Sequence, residues 1–432
     1  MTARTPDDLR KLVRPDRVHR DIYRDPDIFE MEMERLFHRA WVYVGHESQV
    51  ARPGDFLCSW IGTQPVVMTR HGDGKVYLLH NRCGHRGVKV VNEARGNARF
   101  LRCMFHGWSY DLNGELTGLT QPEGYTAFAV DPIAHGMPRV ARAHSVHGFL
   151  FASASAQGPS FEDYFGDVTS AIDDLVAAAP DGAVEVTGGA LRYGFPGNWK
   201  FQADNVCDMY HVVYSHESSS RDGAQYVRRQ GDASGIPFFE EDGSVSSFDA
   251  SGLWGFPNGH GWEGALPRFE NTDPLWREYV ARLEARQGRE RTREILKRKR
   301  HNTVFYPNLV IQDLNMHVRV IRPIRVDLTE VTIHPIRLKG APERMFRDAI
   351  RLLNTTNSAA SLTQADDVEA FMRGHAGLGN RDGNPWLLLA RGDAGNEAPD
   401  RAYAHARRTF GSSEMLLRLQ YRSWLRHMTA AG

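Results

Sequence analysis

Two groups of residues in this 432-residue chain combine types and spacings suited to metal chemistry. The first is Cys83-Gly-His85-Arg-Gly, followed, after 17 intervening residues from His85, by Cys103-Met-Phe-His106-Gly-Trp. Each half begins where a strand-like run ends, which sets its Cys and His at a loop tip. Gly87 and Gly107, just after the histidines, ease a tight backbone there. Two cysteines and two histidines could hold a structural zinc, although a C-x-H first half departs from the usual zinc spacing of C-x2–4-C. One thiolate and one imidazole on each loop better suit a [2Fe–2S] centre with two thiolates on one iron and two imidazoles on the other.

The second group lies in Asn198–His216, NWKFQADNVCDMYHVVYSH. Asp204 and Asp208 stand four apart and His211 follows three later, so on one helix these side chains share a face. His216, five residues beyond His211, falls about 140° round from it at 3.6 residues per turn. Both imidazoles can meet one ion only if the helix ends or carries a π-type bulge between them. Two histidines with a carboxylate suit non-haem iron(II), which keeps coordination positions open. A polar helix end carrying two incidental histidines is the competing reading of this stretch alone.

The elements that must position these groups change character along the chain. Pro26–Trp41 has helical apolar spacing with acids in its first half. Residues 45–153 are short apolar runs broken by turn signals, including HGDG and LNGEL, and predict an antiparallel β domain. SASAQGPS, 153–160, is the boundary loop, leaving 1–44 and 161–432 as a larger second domain. There FEDYFGDVTSAIDDLVAAAP predicts a helix ending at Pro180, GGALRYGF a strand, and 215–270 long surface loops or a lid. A charged, solvated helix covers 274–300, consecutive antiparallel strands follow, and helices close the chain. The fold class predicted is α+β, a sheet covered by helices, after the β domain.

Lys+Arg and Asp+Glu both total 53, a balance that argues against nucleic acid or an anionic membrane as main partner. The first residues show no apolar signal-peptide core, and no run approaches the length of a membrane span. Four cysteines are too few for a disulfide framework in this length and favour a reducing cytoplasm. Cys58 and Cys207 read as small buried hydrophobes. No G-x-G-x-x-G joins a strand to a helix, so no nicotinamide or flavin site is expected.

C-x-H-R-G…C-x-x-H-G-W, together with N-W-K…D-N-x-x-D-x-Y-H-x4-H, resembles the large (alpha) subunit of Rieske-type aromatic-ring-hydroxylating oxygenases. The resemblance spans about residues 25–430 and is weakest over 215–300. It implies a [2Fe–2S] cluster on Cys83, His85, Cys103 and His106, and a mononuclear iron on His211, His216 and a late carboxylate. TQADDVEAF offers Asp366 and Asp367, and the family pattern places the ligand at Asp367; Asp366 reads as a helix-start acid favoured by the macrodipole. The resemblance further implies that Asp208 bridges His211 to His106 of a neighbouring subunit, and that Asn205 stands close to the iron. Asp204, where the family more often has Glu, is assigned no catalytic role.

By the same resemblance the chain is a terminal oxygenase receiving electrons from a ferredoxin or flavin reductase. A ring of three alpha subunits is implied, with or without a small beta subunit. The reaction implied is hydroxylation of an aromatic compound, usually cis-dihydroxylation, with monooxygenation or demethylation as the variant on the same scaffold. Aromatic acids or amines are the substrate class suggested. Arg319 or Arg322 could neutralise a carboxylate, although exposed sheet charge is the plainer account of both. Rivals from other classes are an electron-transfer iron–sulfur protein and a zinc hydrolase.

Overall fold

The runs between turn signals pair as their turns dictate. A computed structural model describes residues 4–125, 130–218, 249–264, 274–297, 300–313, 316–361 and 363–430. The chain forms two compact units, Phe37–Gly158 and the combination of Met1–Leu36 with Pro159–Gly432.

In the first unit, Val76–His80, Gln64–Arg70, Asp55–Ile61 and Arg95–Asn97 lie side by side in that order, all antiparallel. HGDG closes the first pair: Arg70 faces Val76, and Gly74 adopts φ +82°, a conformation that costs glycine little. LNGEL likewise joins Ser109–Tyr110 to Leu116–Gly118, and Leu101–Arg102 completes that three-stranded sheet. Inward-facing Val67, Leu79, Leu101, Trp108 and Tyr110 form a core that also contains Cys83 and Cys103.

The second unit is built on a large sheet. Its central strands are Leu328–Leu338, His317–Arg325, Leu309–Gln312, Arg300–Phe305 and Gly261–Gly264, adjacent and antiparallel. Leu191–Phe195 also pairs with Leu328–Leu338. Tyr193, Phe195, Val331, Ile333, Leu353 and Phe371 join this sheet to the helices Glu343–Thr356 and Gln364–Gly377. The α+β expectation therefore describes the architecture. Among the described residues no helix is long and apolar enough to cross a membrane. Most of the 215–270 segment read as loops or a lid lies outside the described residues.

Three helices differ from their sequence reading. Pro26–Trp41 is α-helical only over Pro26–Glu32, continues as a π-helix over Met33–Phe37, and stops there. The 161–180 segment divides into Phe161–Phe165 and Ser170–Ala177 because Gly166 takes φ +54°. Gly288, at φ +80°, similarly divides 274–300 into Pro274–Gln287 and Arg289–Lys297. Amphipathic spacing runs through each break, so periodicity alone reads each as continuous.

The π turn follows directly on Glu32, a fully buried carboxylate. Glu32 Oε1 lies 2.6 Å from Lys200 Nζ and accepts from Trp424 Nε1 at 2.6 Å, while Oε2 accepts from Trp199 Nε1 at 2.9 Å. Three segments distant in sequence thus meet on one anion: the N-terminal helix, the helix Trp199–Asn205 and the C-terminal helix Met415–Thr429. Burial alone would lower the Lys200 pKa, and Glu32 opposes that shift. Glu32→Ala leaves an ammonium buried without its partner and is predicted to destabilise the protein by about 3–5 kcal/mol. Urea unfolding checks this; a loss below about 1 kcal/mol would place the pair among those of marginal worth.

Candidate functional site

Asn198 starts the helix before the site. Its Oδ1 accepts from Lys200 N at 3.1 Å and its Nδ2 donates to Val326 O at 3.1 Å, capping the helix and tethering it to the sheet turn. The helix ends at Asn205. The expectation that Asp204, Asp208 and His211 share one helical face is therefore wrong. Asp208 has left the helix, and its Oδ1 accepts from Tyr210 N at 2.6 Å, the local side-chain turn that aspartate offers in competition with a helix. A separate four-residue turn, Val212–Ser215, follows, with His211 at its start and His216 at its end. His216 closes it at φ −106°, ψ 19°, outside the helical range. The two imidazoles consequently converge, with centroids 5.5 Å apart.

The first turn of Gln364–Gly377 supplies the carboxylates. Asp367 Oδ1 lies 3.5 Å from His211 Nε2 and 3.2 Å from His216 Nε2. One ligand atom from each of His211, His216 and Asp367 falls within 4.8 Å of the others, a group able to hold a metal ion. Behind the imidazoles, His216 Nδ1 stands 3.1 Å from Asp366 Oδ2, and His211 Nδ1 stands 3.6 Å from Asp208 Oδ2. A carboxylate behind each ring presents Nε2 inward, as metal-ligating histidines require. Asn205 Nδ2 lies 2.9 Å from His211 Nε2 and donates to Asp367 Oδ1 at 3.0 Å. Its own carbonyl accepts from Gln202 Nε2 at 3.3 Å, and Gln202 Oε1 accepts from Tyr193 OH at 2.8 Å.

Burial would lower the His211 pKa, but the Asp208 and Asp367 carboxylates reverse the effect and raise it to about 10. Burial would raise that of Asp367, and hydrogen bonds from His211 and His216 hold it well below the usual carboxylate range. The cluster is an anionic pocket poised to exchange protons for a divalent cation. Its residues fit such an ion: both Nε2 atoms face one carboxylate oxygen.

In the other unit, Cys83 and Cys103 are buried at 3% and 2% exposure, whereas His85 and His106 are only partly covered. The imidazole centroids lie 4.8 Å apart, and His85 stacks on Trp108 at 4.7 Å. Each loop closes on its cysteine: Gly87 N donates to Cys83 O at 3.0 Å and Gly107 N to Cys103 O at 3.1 Å. Both glycines have positive φ, +75° and +74°, the strained position anticipated for each. Tyr110 OH lies 2.9 Å from Cys83 Sγ. Two inner sulfurs and two outer nitrogens form a donor set divided as a [2Fe–2S] centre with unlike irons requires. The buried Nδ1 of His85, without a hydrogen-bond partner among the described residues, fits a ligand atom.

Other residues fall away from metal chemistry. Asp204 accepts from Tyr23 OH at 2.6 Å and from Tyr421 OH at 3.0 Å; burial raises its pKa to about 7. Cys207 is buried and its Sγ accepts from Gln420 Nε2 at 2.9 Å, while Cys58 packs half-buried against the β core. Sequence reasoning missed Asp366, Gln202 and Tyr193. The paired acids hinted at Asp366, and the three-residue spacing of Gln202 and Asn205 was the sole local sign of that contact. Tyr193 left no local signal.

Comparison with known proteins agrees with this geometry. Residues 40–129 match the Rieske [2Fe-2S] domain and residues 183–430 the ring hydroxylating alpha subunit (catalytic domain). The anthranilate 1,2-dioxygenase large subunit of Acinetobacter baylyi is 31% identical over 87% of this chain and 80% of its own. The toluate 1,2-dioxygenase subunit alpha of Pseudomonas putida is 33% identical over 85% and 80%. Among solved structures, naphthalene 1,2-dioxygenase from Rhodococcus sp. superposes with TM-score 0.81 at 25% identity, over 96% of this chain and 95% of that one. With a matched cluster domain, a matched catalytic domain and relatives alike over most of its length, the chain belongs to the Rieske-type ring-hydroxylating oxygenases, as an alpha subunit that receives its electrons from outside.

Proposed function

We propose that this subunit hydroxylates an aromatic acid by cis-dihydroxylation, with a mononuclear iron on His211, His216 and Asp367 and a [2Fe–2S] cluster on Cys83, His85, Cys103 and His106. The observation that carries the reading is the convergence of two imidazoles and one carboxylate within 4.8 Å. Three protein ligands leave room at an octahedral ion, and iron there would supply dioxygen activation beside the substrate. The protein's own task is to hold both Nε2 atoms inward. Asp208 and Asp366 do this from behind, and Asn205 holds the Asp367 oxygen that faces both rings.

Anthranilate and toluate, in the names of two relatives, are aromatic acids, which supports that substrate class. Asp208 is proposed to couple His211 to the partner subunit's His106 within a ring of three alpha subunits, alone or with small beta subunits. Residues 1–44 and 161–432 would form the iron domain and 45–153 the cluster domain. A ferredoxin or flavin reductase is the proposed electron donor. The cytoplasm is the proposed location, in keeping with cysteines kept free of disulfides.

Metal analysis of purified protein is expected to give about three irons per chain, two in the cluster and one mononuclear. Colourless protein carrying zinc would sink this reading. Asp208→Asn is expected to keep both iron centres yet lose turnover by about 100-fold or more; near-normal turnover would remove Asp208 from the electron path. Asp367→Ala is expected to abolish the mononuclear iron while sparing the cluster spectrum. Asp366→Ala is expected only to weaken iron binding, by about 10- to 100-fold, and the reverse ranking would exchange the roles of the two acids.

A further inference from the structure

Arg319 is not an exposed sheet charge. Arg322, three residues on, pairs with Glu330 at 3.2 Å on a partly exposed face. Arg319 instead is 5% exposed, and its Nε is buried without a hydrogen-bond partner among the described residues. No carboxylate lies within ion-pair distance of it among the described residues. A guanidinium cannot shed its proton to relieve burial, so an unpaired one is among the costliest groups to place inside a protein.

The sheet register says where it points. Arg319 pairs with Ile333, which pairs with Leu191. Two residues along, Val331 pairs with Tyr193 and with Ile321. Residues two apart share a face, so Arg319 stands on the face of Tyr193, whose hydroxyl reaches Gln202 on the helix leading into the metal cluster. Across the strands, Gln312 pairs with His317 and with Asn302 on this same face. The register then slips: Trp262 faces Thr303 and Gly264 faces Arg300, leaving His301 and Asn302 together opposite Glu263.

Beyond its apolar stretch at Ile321, Val331 and Ile333, this face is polar, buried and incompletely paired around Asn302 and Gln312. Asn302 Nδ2 donates to Glu263 Oε2 at 2.9 Å, and Gln312 Nε2 to Asn302 Oδ1 at 3.0 Å. Glu263 Oε1 and Gln312 Oε1, like Arg319 Nε, lack hydrogen-bond partners among the described residues. Burial pushes the Glu263 carboxyl well up and the His301 imidazole down to about 3. His301 lies within electrostatic reach of both Arg319 and His211, and Tyr193 of both Arg319 and Asp367. The unpaired guanidinium and the metal cluster therefore address one region.

We propose that Arg319 is the specificity-determining residue that receives the carboxylate of the aromatic substrate. This rests on the functional reading above and deepens it. A planar carboxylate matches the guanidinium fork and supplies the missing countercharge. Asn302 and Gln312 on the same face, already hydrogen-bonded to each other, add polar groups that could orient the ring.

The test compares benzoate with benzamide, equal in shape and different in charge, bound to the iron-loaded holoenzyme and followed by titration calorimetry. Wild type is expected to prefer benzoate. In Arg319→Gln the preference, read as the ratio of the two Kd values, is expected to fall by about 10- to 100-fold, and Arg319→Lys to restore part of it. A ratio that stays constant in Arg319→Gln, whether both ligands weaken together or neither does, overturns the proposal, as does a wild type that prefers benzamide. Product formation with the reductase separates the two claims. If wild type oxygenates an aromatic acid but the ratio does not move, the anchor fails alone. If benzoate binds through Arg319 but no arene is oxygenated, the anchor stands and the functional reading falls.

Discussion

The catalytic unit depends on one buried anion. Glu32 has no contact with solvent, and its two oxygens are taken up by Lys200, Trp199 and Trp424. A carboxylate in that position is tolerable only when it is paired and hydrogen-bonded, and Glu32 meets its partners from two distant parts of the chain. The helix Trp199–Asn205 is thereby anchored at its start by Glu32 and by the cap at Asn198. Its far end is where accuracy matters. Asn205 there reaches both His211 and Asp367, and the chain must leave the helix at that point to bring the histidines round.

From that anchor the site is assembled by pairing each imidazole with its own acid. His211 has Asp208 behind it and His216 has Asp366. Two adjacent residues on one helix turn therefore do different work, Asp367 facing the ligand atoms and Asp366 facing the back of a ring. Neighbouring positions on a helix point about 100° apart, so a tandem acid can meet a histidine from two sides. The cost is concentrated negative charge in a buried place, visible in the raised pKa of His211. Such a pocket gains most from a divalent cation.

The cluster-domain loops solve a different problem with shorter means. They place two thiols inside and two imidazoles toward the surface, and each turn is closed by a positive-φ glycine donating back to its cysteine. At Gly84 the constraint is contact rather than backbone conformation. A Cβ there would meet the carbonyl oxygen of His135 at 2.1 Å, so the 131–136 segment can lie against the loop only if position 84 has no side chain.

The two Cys–His loops, the converging histidines and the α+β texture were legible in the sequence because they are local. Cys-x-His and Cys-x-x-His each fit one turn, alternation marks strands, and HGDG marks a hairpin. Local reading misled where periodicity outlasted the element, as at Glu32, Gly166 and Gly288, and in Asn198–His216, where three spaced residues suggested one helical face. Tertiary structure decided what no window of sequence holds. It set Asp204 against Tyr23 and Tyr421, brought Asp366 behind His216, and linked Tyr193 through Gln202 to Asn205. It also separated two arginines three residues apart, pairing Arg322 with Glu330 and burying Arg319 without an ion-pair partner among the described residues. Spacing along a strand tells which residues share a face, but which face is buried is decided by what packs against it.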